Sequence, residues 1–356
     1  MKFVYTVLIC LLLNMASAQW DNPADKYKDA YKKYLNATCP LKEDNIKHFV
    51  YFARDRESIH NHPFLEVERF TGAQIMYSWQ QLEIEKDVYD FSMIKEDYEY
   101  LKSKGKKLFI QMQDATFSPE YIAVPAYLQT GEYDGGIEKQ ITDEGKHEGW
   151  VAKRWNPEVR KRFAVFLKAL GKEFDGKIEG INLQESAIGM SHSKDSSYTP
   201  KLYAESLKKN MLALKKAFPK STTMHYANFM PGEWLPWEDE GYLRSIYKYG
   251  EEIGVGLGAP DLMPQRRAQL NHALKLMHEN EYSVPLGIAV QDGNYVGKTG
   301  ADKDYNEYTD KGKTKRKNVV PLLQAFAKDF LKLDYMFWVC QEPYFTEDVI
   351  PCFEGE

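Results

Sequence analysis

A single (β/α)8 TIM barrel is the fold that these 356 residues predict, on three observations. Short apolar runs of strand length recur eight times, amphipathic helix-length segments lie between them, and no glycine-rich phosphate loop follows the first run. Strands alternating with helices close into a parallel barrel with the helices outside. The missing loop weakens the competing reading, a doubly wound open sheet. A chain that is 43% hydrophobic and 28% charged can bury one large core of this kind. No internal repeat or second domain boundary interrupts residues 45–356.

The first strand is expected in HFVYFAR (His48–Arg54), the second in GAQIMYSW (Gly72–Trp79) and the third in KKLFIQMQD (Lys106–Asp114). KIEGINLQE (Lys177–Glu185), TTMHYANF (Thr222–Phe229) and GVGLGAPD (Gly254–Asp261) follow. VPLGIAVQDG (Val284–Gly293) and LDYMFWVCQE (Leu333–Glu342) complete the set. Each is a short run of β-formers bounded by turn residues. Among the helices, Asn156 can cap and Pro157 fits a first helical position. Val159, Phe163, Phe166, Leu167, Leu170 and Phe174 then fall on one face. Tyr203, Leu207, Met211, Leu214 and Phe218 repeat the pattern up to Pro219.

Residues 1–18, MKFVYTVLICLLLNMASA, read as a signal peptide: one Lys, an apolar run from Phe3 to Leu13, and Ala16-Ser17-Ala18 before Gln19. That run is too short to span a bilayer and no later one is long enough, so export without membrane insertion is expected. Ile9 before Cys10 is too bulky for a good lipoprotein site. Residues 19–44 read as an N-terminal extension. Export permits disulfides, and Cys39 and Cys352 lie in polar, Pro-flanked segments that a closed barrel can bring together. They are expected to pair, with Cys340 buried in YMFWVC. Asn36, in NAT, is a glycosylation acceptor in a eukaryotic host.

The net charge of -5 is spread along the chain, so no nucleic-acid surface is implied. Aromatic residues make up 14%, which reads either as a large aromatic core or as stacking surface for flat ligands such as sugar rings. Two insertions, Ala115–Trp155 after the third strand and Asn294–Lys317 after the seventh, leave strand ends of the kind where barrels place active sites. DKDYNEYTD (Asp302–Asp310) starts like a calcium loop, but Glu307 takes the glycine place and Lys313 the final acidic one. HNH (His60–His62) suggests no third ligand. Neither a metal nor a cofactor is implied.

In a barrel the strand ends converge. They carry Arg54; Trp79 and Glu83; Gln113; Gln184 and Glu185; Tyr226 and Asn228; Asp261; Gln291 and Asp292; Trp338, Gln341 and Glu342. No nucleophilic Ser, Cys or Lys lies beside a His there. Amides and carboxylates bind hydroxyl groups and indoles stack on sugar faces. Glycoside hydrolysis needs a protonated carboxyl to release the leaving oxygen and a second carboxylate opposite it. Glu185, held protonated by partial burial and a neighbouring carboxylate, is the expected general acid. Gln184 is expected to bind a substrate hydroxyl, Trp79 and Trp338 to stack, and Glu342 or else Asp292 to be the partner carboxylate.

MYSWQQLEIEKDVYDFSMIKEDYEYLKSKGKKLFIQM resembles the second and third β/α units of the superfamily of retaining (β/α)8 glycosidases. There a Trp–Glu strand end leads to a Tyr-Asp-Phe helix start, here Tyr89-Asp90-Phe91. INLQES is similar to the fourth-strand motif in which an amide precedes the acid/base glutamate, which maps onto Gln184 and Glu185, with Gln for the usual Asn. Trp338 is similar to the eighth-strand tryptophan that floors the sugar site. The resemblance spans most of residues 45–345 and implies a glycosidase acting on an oligosaccharide or polysaccharide, which the leader makes a secreted one. The chain departs from it at the seventh strand, where Gln291 of VQDG stands in place of the nucleophilic glutamate. A glutamine amide cannot form the glycosyl ester. An inverting enzyme, a displaced nucleophile or a non-catalytic glycan-binding barrel are the three readings left open.

Overall fold

The structure, a computed structural model, describes residues 23–142, 144–191, 193–235, 238–296 and 316–354. The leader (1–18) and the calcium-loop-like stretch lie outside these. All eight expected strands form: β1 (Lys47–Tyr51), β2 (Phe70–Ser78), β3 (Lys107–Gln113), β4 (Gly180–Leu183), β5 (Thr222–Tyr226), β6 (Gly256–Ala259), β7 (Leu286–Val290) and β8 (Tyr335–Val339). They pair in parallel in chain order, and β1 closes on β8 with Val50 opposite Trp338, making a TIM barrel.

Strand alternation gives the barrel two cores. Phe49, Tyr51, Phe109, Met224, Tyr226, Tyr335 and Phe337 point inward and fill it, with Phe109 and Phe337 edge-on at 4.9 Å between ring centroids. Two glycines make room for them: a Cβ on Gly258 would meet the Tyr226 ring at 2.7 Å, and one on Gly287 the Met224 methyl at 2.8 Å. Below, Lys47 and Lys107 both donate to Glu179, just before β4, closing the N-terminal end. The odd neighbours, such as Val50, Ile75, Ile110 and Ile181, face the helices.

The main helices are α1 (Ser92–Ser103), α2 (Pro157–Phe174), α3 (Pro200–Ala217), α4 (Tyr242–Ile253), α5 (Ala273–Glu279) and α6 (Val319–Phe326). Asn156 caps α2, its Oδ1 accepting from Glu158 N at 2.8 Å and Val159 N at 3.2 Å, and the expected apolar face is buried. α3 starts at Thr199, whose hydroxyl accepts from Leu202 N. The insertion after β3 has an antiparallel hairpin, Ile137–Ile141 with His147–Ala152, that leans over the barrel mouth. Its strands alternate too weakly to be visible in sequence. No helix among the described residues is long and apolar enough to cross a membrane.

Cys39 and Cys352 form a disulfide with Cα atoms 4.7 Å apart, and Leu41 N donates to Cys352 O. The bridge joins the segment before β1 to the one after β8, as expected, while Cys340 is free and only partly buried, 3.1 Å from His62 Nε2. Because it closes a loop over almost the whole barrel, reducing it, or Cys39→Ser with Cys352→Ser, should destabilise the fold by about 2–4 kcal/mol. Urea midpoints with and without reductant measure this; coincident curves in the parent protein would mean the bridge does not form.

Candidate active site

Glu185 follows β4 where the chain turns over the C-terminal mouth. Its Oε2 accepts from Asn228 Nδ2 at 2.8 Å, and Asn228 is buried two residues past β5, its Oδ1 held by Ala187 N. The residue is partly exposed on the mouth side, but its carboxyl group is hemmed in by protein. Burial pushes its pKa up to about 7; the Asn228 bond opposes this, Asp261 adds to it, Arg154 opposes and Glu148 adds. A glutamate with these neighbours keeps its proton near neutrality. Tyr51, on the inner face of β1, shares the pocket: burial and then the charges of Glu185 and Asp261 drive its phenol well above the usual range.

A buried ion pair underlies the glutamate. Arg154, at the end of the hairpin, grips Asp114 with two bonds, Nε to Oδ2 at 2.8 Å and Nη2 to Oδ1 at 2.6 Å. Its Nη1 donates to the Glu185 backbone carbonyl and to the Tyr203 hydroxyl, each at 2.8 Å, and Tyr203 donates on to Ser186 O. Gln184 completes this support. Its Oε1 accepts from Asp114 N and Ala115 N, so of the side chain expected to meet a substrate hydroxyl the amide oxygen is committed to the backbone.

Asp261, two residues past β6, is the carboxylate whose charge most raises Glu185. Its Oδ1 accepts from Asn294 Nδ2 at 3.0 Å, and Asn294 Oδ1 accepts from Leu262 N and Gln291 N, tying the ends of β6 and β7 together. Gln291, in the expected nucleophile's place, donates its amide to Pro260 O, so it braces the segment that carries Asp261.

Several expected site residues lie elsewhere. Trp79, Glu83 and Trp338 are fully buried in the layer between barrel and helices and offer no face to a ligand. Ser78 caps a one-turn helix, Trp79–Leu82, that carries Trp79 outward against Phe163 and Phe166; its Nε1 donates to Glu83, which also pairs with Arg162. Trp338 has the opposite strand parity to the inward Phe337, and donates to His48 Nδ1. Glu342 is exposed beyond β8, where it accepts from Thr346 and its charge bears on His62 and Cys340. Tyr226 is deep in the barrel, accepting from Gln74. Gln113 points inward near the mouth, and its Oε1 has no hydrogen-bond partner among the described residues. Arg54 lies over the Tyr121 ring at 4.2 Å at the rim, and Gln341 follows β8. Asp292 opens the turn Asp292–Val296, and its side chain lies outside the described residues.

A cleft of about 910 Å³ starts two residues after Glu185, walled by Phe117 and Glu148 of the β3 insertion, Ala187–Ser191 after β4, Trp234 and Leu235 after β5, and Arg266 after β6. Phe117 and Trp234 are 51% and 42% exposed, unusual for aromatic side chains, and both face this cleft. Sequence reasoning missed them, together with Arg154, Glu148, Tyr51 and Asn294. A signal existed only for Trp234, in the polar loop after the fifth strand. Among the described residues no group of three or more His, Cys, Asp or Glu could hold a metal ion.

No protein-family model and no curated protein sequence matches the chain. Solved structures do share its fold. The catalytic domain of a β-amylase from Paenibacillus polymyxa superposes with a TM-score of 0.54 at 9% identity, over 84% of this chain and 92% of that one. A xylanase from Paenibacillus barcinonensis, complexed with a conduramine derivative, superposes with a TM-score of 0.50 at 12% identity, over 86% and 88%. At such identity the likeness is one of fold.

Proposed function

We propose that the protein is an exported glycoside hydrolase acting on an oligosaccharide or polysaccharide, with Glu185 as general acid and Asp261 as its partner carboxylate. The observation that carries the proposal is a carboxyl kept protonated up to about pH 7, chiefly by burial and with the charge of a second carboxylate, Asp261, adding to it, at a barrel mouth that carries an aromatic-walled cleft. Protonated Glu185 delivers its proton to the glycosidic oxygen as the bond to the anomeric carbon breaks. Asp261 either takes a proton from the attacking water or attacks the anomeric carbon itself. The sugar on the leaving-group side lies in the cleft against Trp234 and Phe117, and Tyr51, Arg54 and Gln341 border the other side. Asp261 is preferred here to Glu342 and Asp292 because it is the carboxylate whose charge most raises the Glu185 pKa.

Reducing-sugar release across a panel of polysaccharides tests this. Release that is lost in Asp261→Asn supports the pair, and the anomeric form of the first product, followed by NMR, separates base from nucleophile. Gln291 favours a second reading, a barrel that binds glycans without cleaving them: no release from any glycan, with retention on an affinity gel, would select it. Trp234→Ala should weaken oligosaccharide binding about tenfold, as loss of an aromatic stacking surface does, with little change in kcat. An unchanged KM would remove Trp234 from the substrate site.

A further inference from the structure

We propose that His272, buried behind the cleft wall, is a positioning residue. As an imidazolium it latches the Trp234 segment to the helical layer, and the cleft keeps its shape only while the ring carries both protons. The part played by Trp234 rests on the glycosidase reading; the latch does not.

The ring lies between two backbone carbonyls. Nδ1 is 2.7 Å from Ala268 O, in the short helix Arg267–Asn271 before α5, and Nε2 is 2.8 Å from Glu233 O, next to Trp234. A carbonyl has no hydrogen to give, so each contact is a hydrogen bond only if that ring nitrogen bears one. Only the doubly protonated ring satisfies both. His272 is buried, so solvent does not readily replace a lost bond.

Glu233 is held at two points. Its carbonyl meets His272, and its carboxylate accepts from Tyr242 N at 2.7 Å and Leu243 N at 2.9 Å at the start of α4. The Phe229 ring lies 4.5 Å from the His272 ring and stacks on Trp234 with centroids 6.2 Å apart, so the contact runs from helix to cleft. A cavity of about 290 Å³ lies against the ring. Facing it are Glu233, Glu238 and Asp239 from the loop, Arg244 from α4, and Lys275 and Glu279 from α5. Asp239 is paired with Arg244, and Glu279 with Lys26. Four carboxylates against three cations, Lys26 included, offset a positive ring. His272 does not line the cleft, so it touches no substrate and acts through the Trp234 segment.

Hydrogen exchange on the full chain tests the latch without substrate. As rising pH takes the first proton from the ring, protection of residues 230–235 and 238–245 should fall about tenfold after correction for intrinsic rates, the effect of one lost hydrogen bond. In His272→Gln it should be low and independent of pH, while peptides from β3 keep their protection. Protection in the parent that does not change with pH, or a variant that titrates like the parent, overturns the proposal. Should the variant not fold, long-range 1H–15N spectra of the histidine-labelled parent decide: two protonated ring nitrogens on His272 in the protected state support the latch, and a neutral tautomer there overturns it. With an active substrate, KM should rise with the same deprotonation in the parent but not in the variant, with kcat following Glu185 in both. If no glycan is cleaved, the glycosidase reading falls while the exchange and NMR results still decide the latch.

Discussion

Glu185→Gln should lower turnover by about 10²–10⁴-fold, leave glycan binding nearly unchanged, and make the protein more stable above pH 7. Glutamine keeps the shape of the side chain and its contact with Asn228, but has no proton to deliver. In the parent, kcat/KM should fall tenfold per unit above about pH 7, where burial first and then Asp261 place the loss of the Glu185 proton. Stability follows with a definite sign. The folded-state pKa of about 7 is above the ordinary 4.5, so between those values the folded protein holds a proton that the unfolded chain has released. Stability therefore declines as pH rises from 4.5 to about 7, by up to roughly 3 kcal/mol. The neutral variant does not carry that penalty. Urea midpoints at pH 5 and pH 8.5 should favour the variant only at the higher pH. Parent-like turnover would remove Glu185 as the acid, and coincident midpoints at pH 8.5 would show that its carboxylate is not strained.

A strained carboxyl that lowers stability is what an active site usually costs, and the proposed role of Glu185 bears on what could be read in the sequence. The strands were legible because runs of β-formers between turn residues have few other readings, and the two best helices because their caps and apolar faces agree. Glu185 and Asn228 were legible because both stand just past a strand end, where the backbone itself turns toward the mouth. The tryptophans were not. Trp338 sits one residue from Phe337, and strand parity alone puts one indoors and the other under the helices. Parity could have been counted from Phe49 and Phe109, but a strand-end indole looks equally apt on either face. Trp79 was lost to a local device, the Ser78–Gln81 capping box, which turns the chain outward one residue too soon. Asp261 reads in the sequence as a binding residue and not as the proposed partner, because only the closed barrel sets the end of β6 one strand removed from β4, with β5 between them. Arg154 had no signal at all, since it belongs to an irregular insertion and reaches Asp114 from 40 positions away.

Arg154→Met should cost about 3–5 kcal/mol, more than any surface ion pair here, because it strands Asp114 as an unpaired buried carboxylate. It also removes the donor that holds the Glu185 carbonyl and the Tyr203 hydroxyl. Two further variants separate these effects. Asp114→Leu combined with Arg154→Met replaces the pair by apolar groups and should recover much of the stability, since the loss comes from the uncompensated charge. It should not recover activity, since Glu185 has still lost its support. The electrostatic consequence has opposite signs in the two single variants. The Arg154 charge opposes the rise in the Glu185 pKa, so Arg154→Met should move the alkaline limb of kcat/KM to higher pH. Asp114→Asn leaves that cation without its partner and should move the limb to lower pH. Denaturant titrations and pH–rate profiles on the three variants measure both. Limbs that stay together while stability falls would mean that Arg154 supports the fold alone, and that the glutamate at the tip of β4 owes its proton to burial and to Asp261.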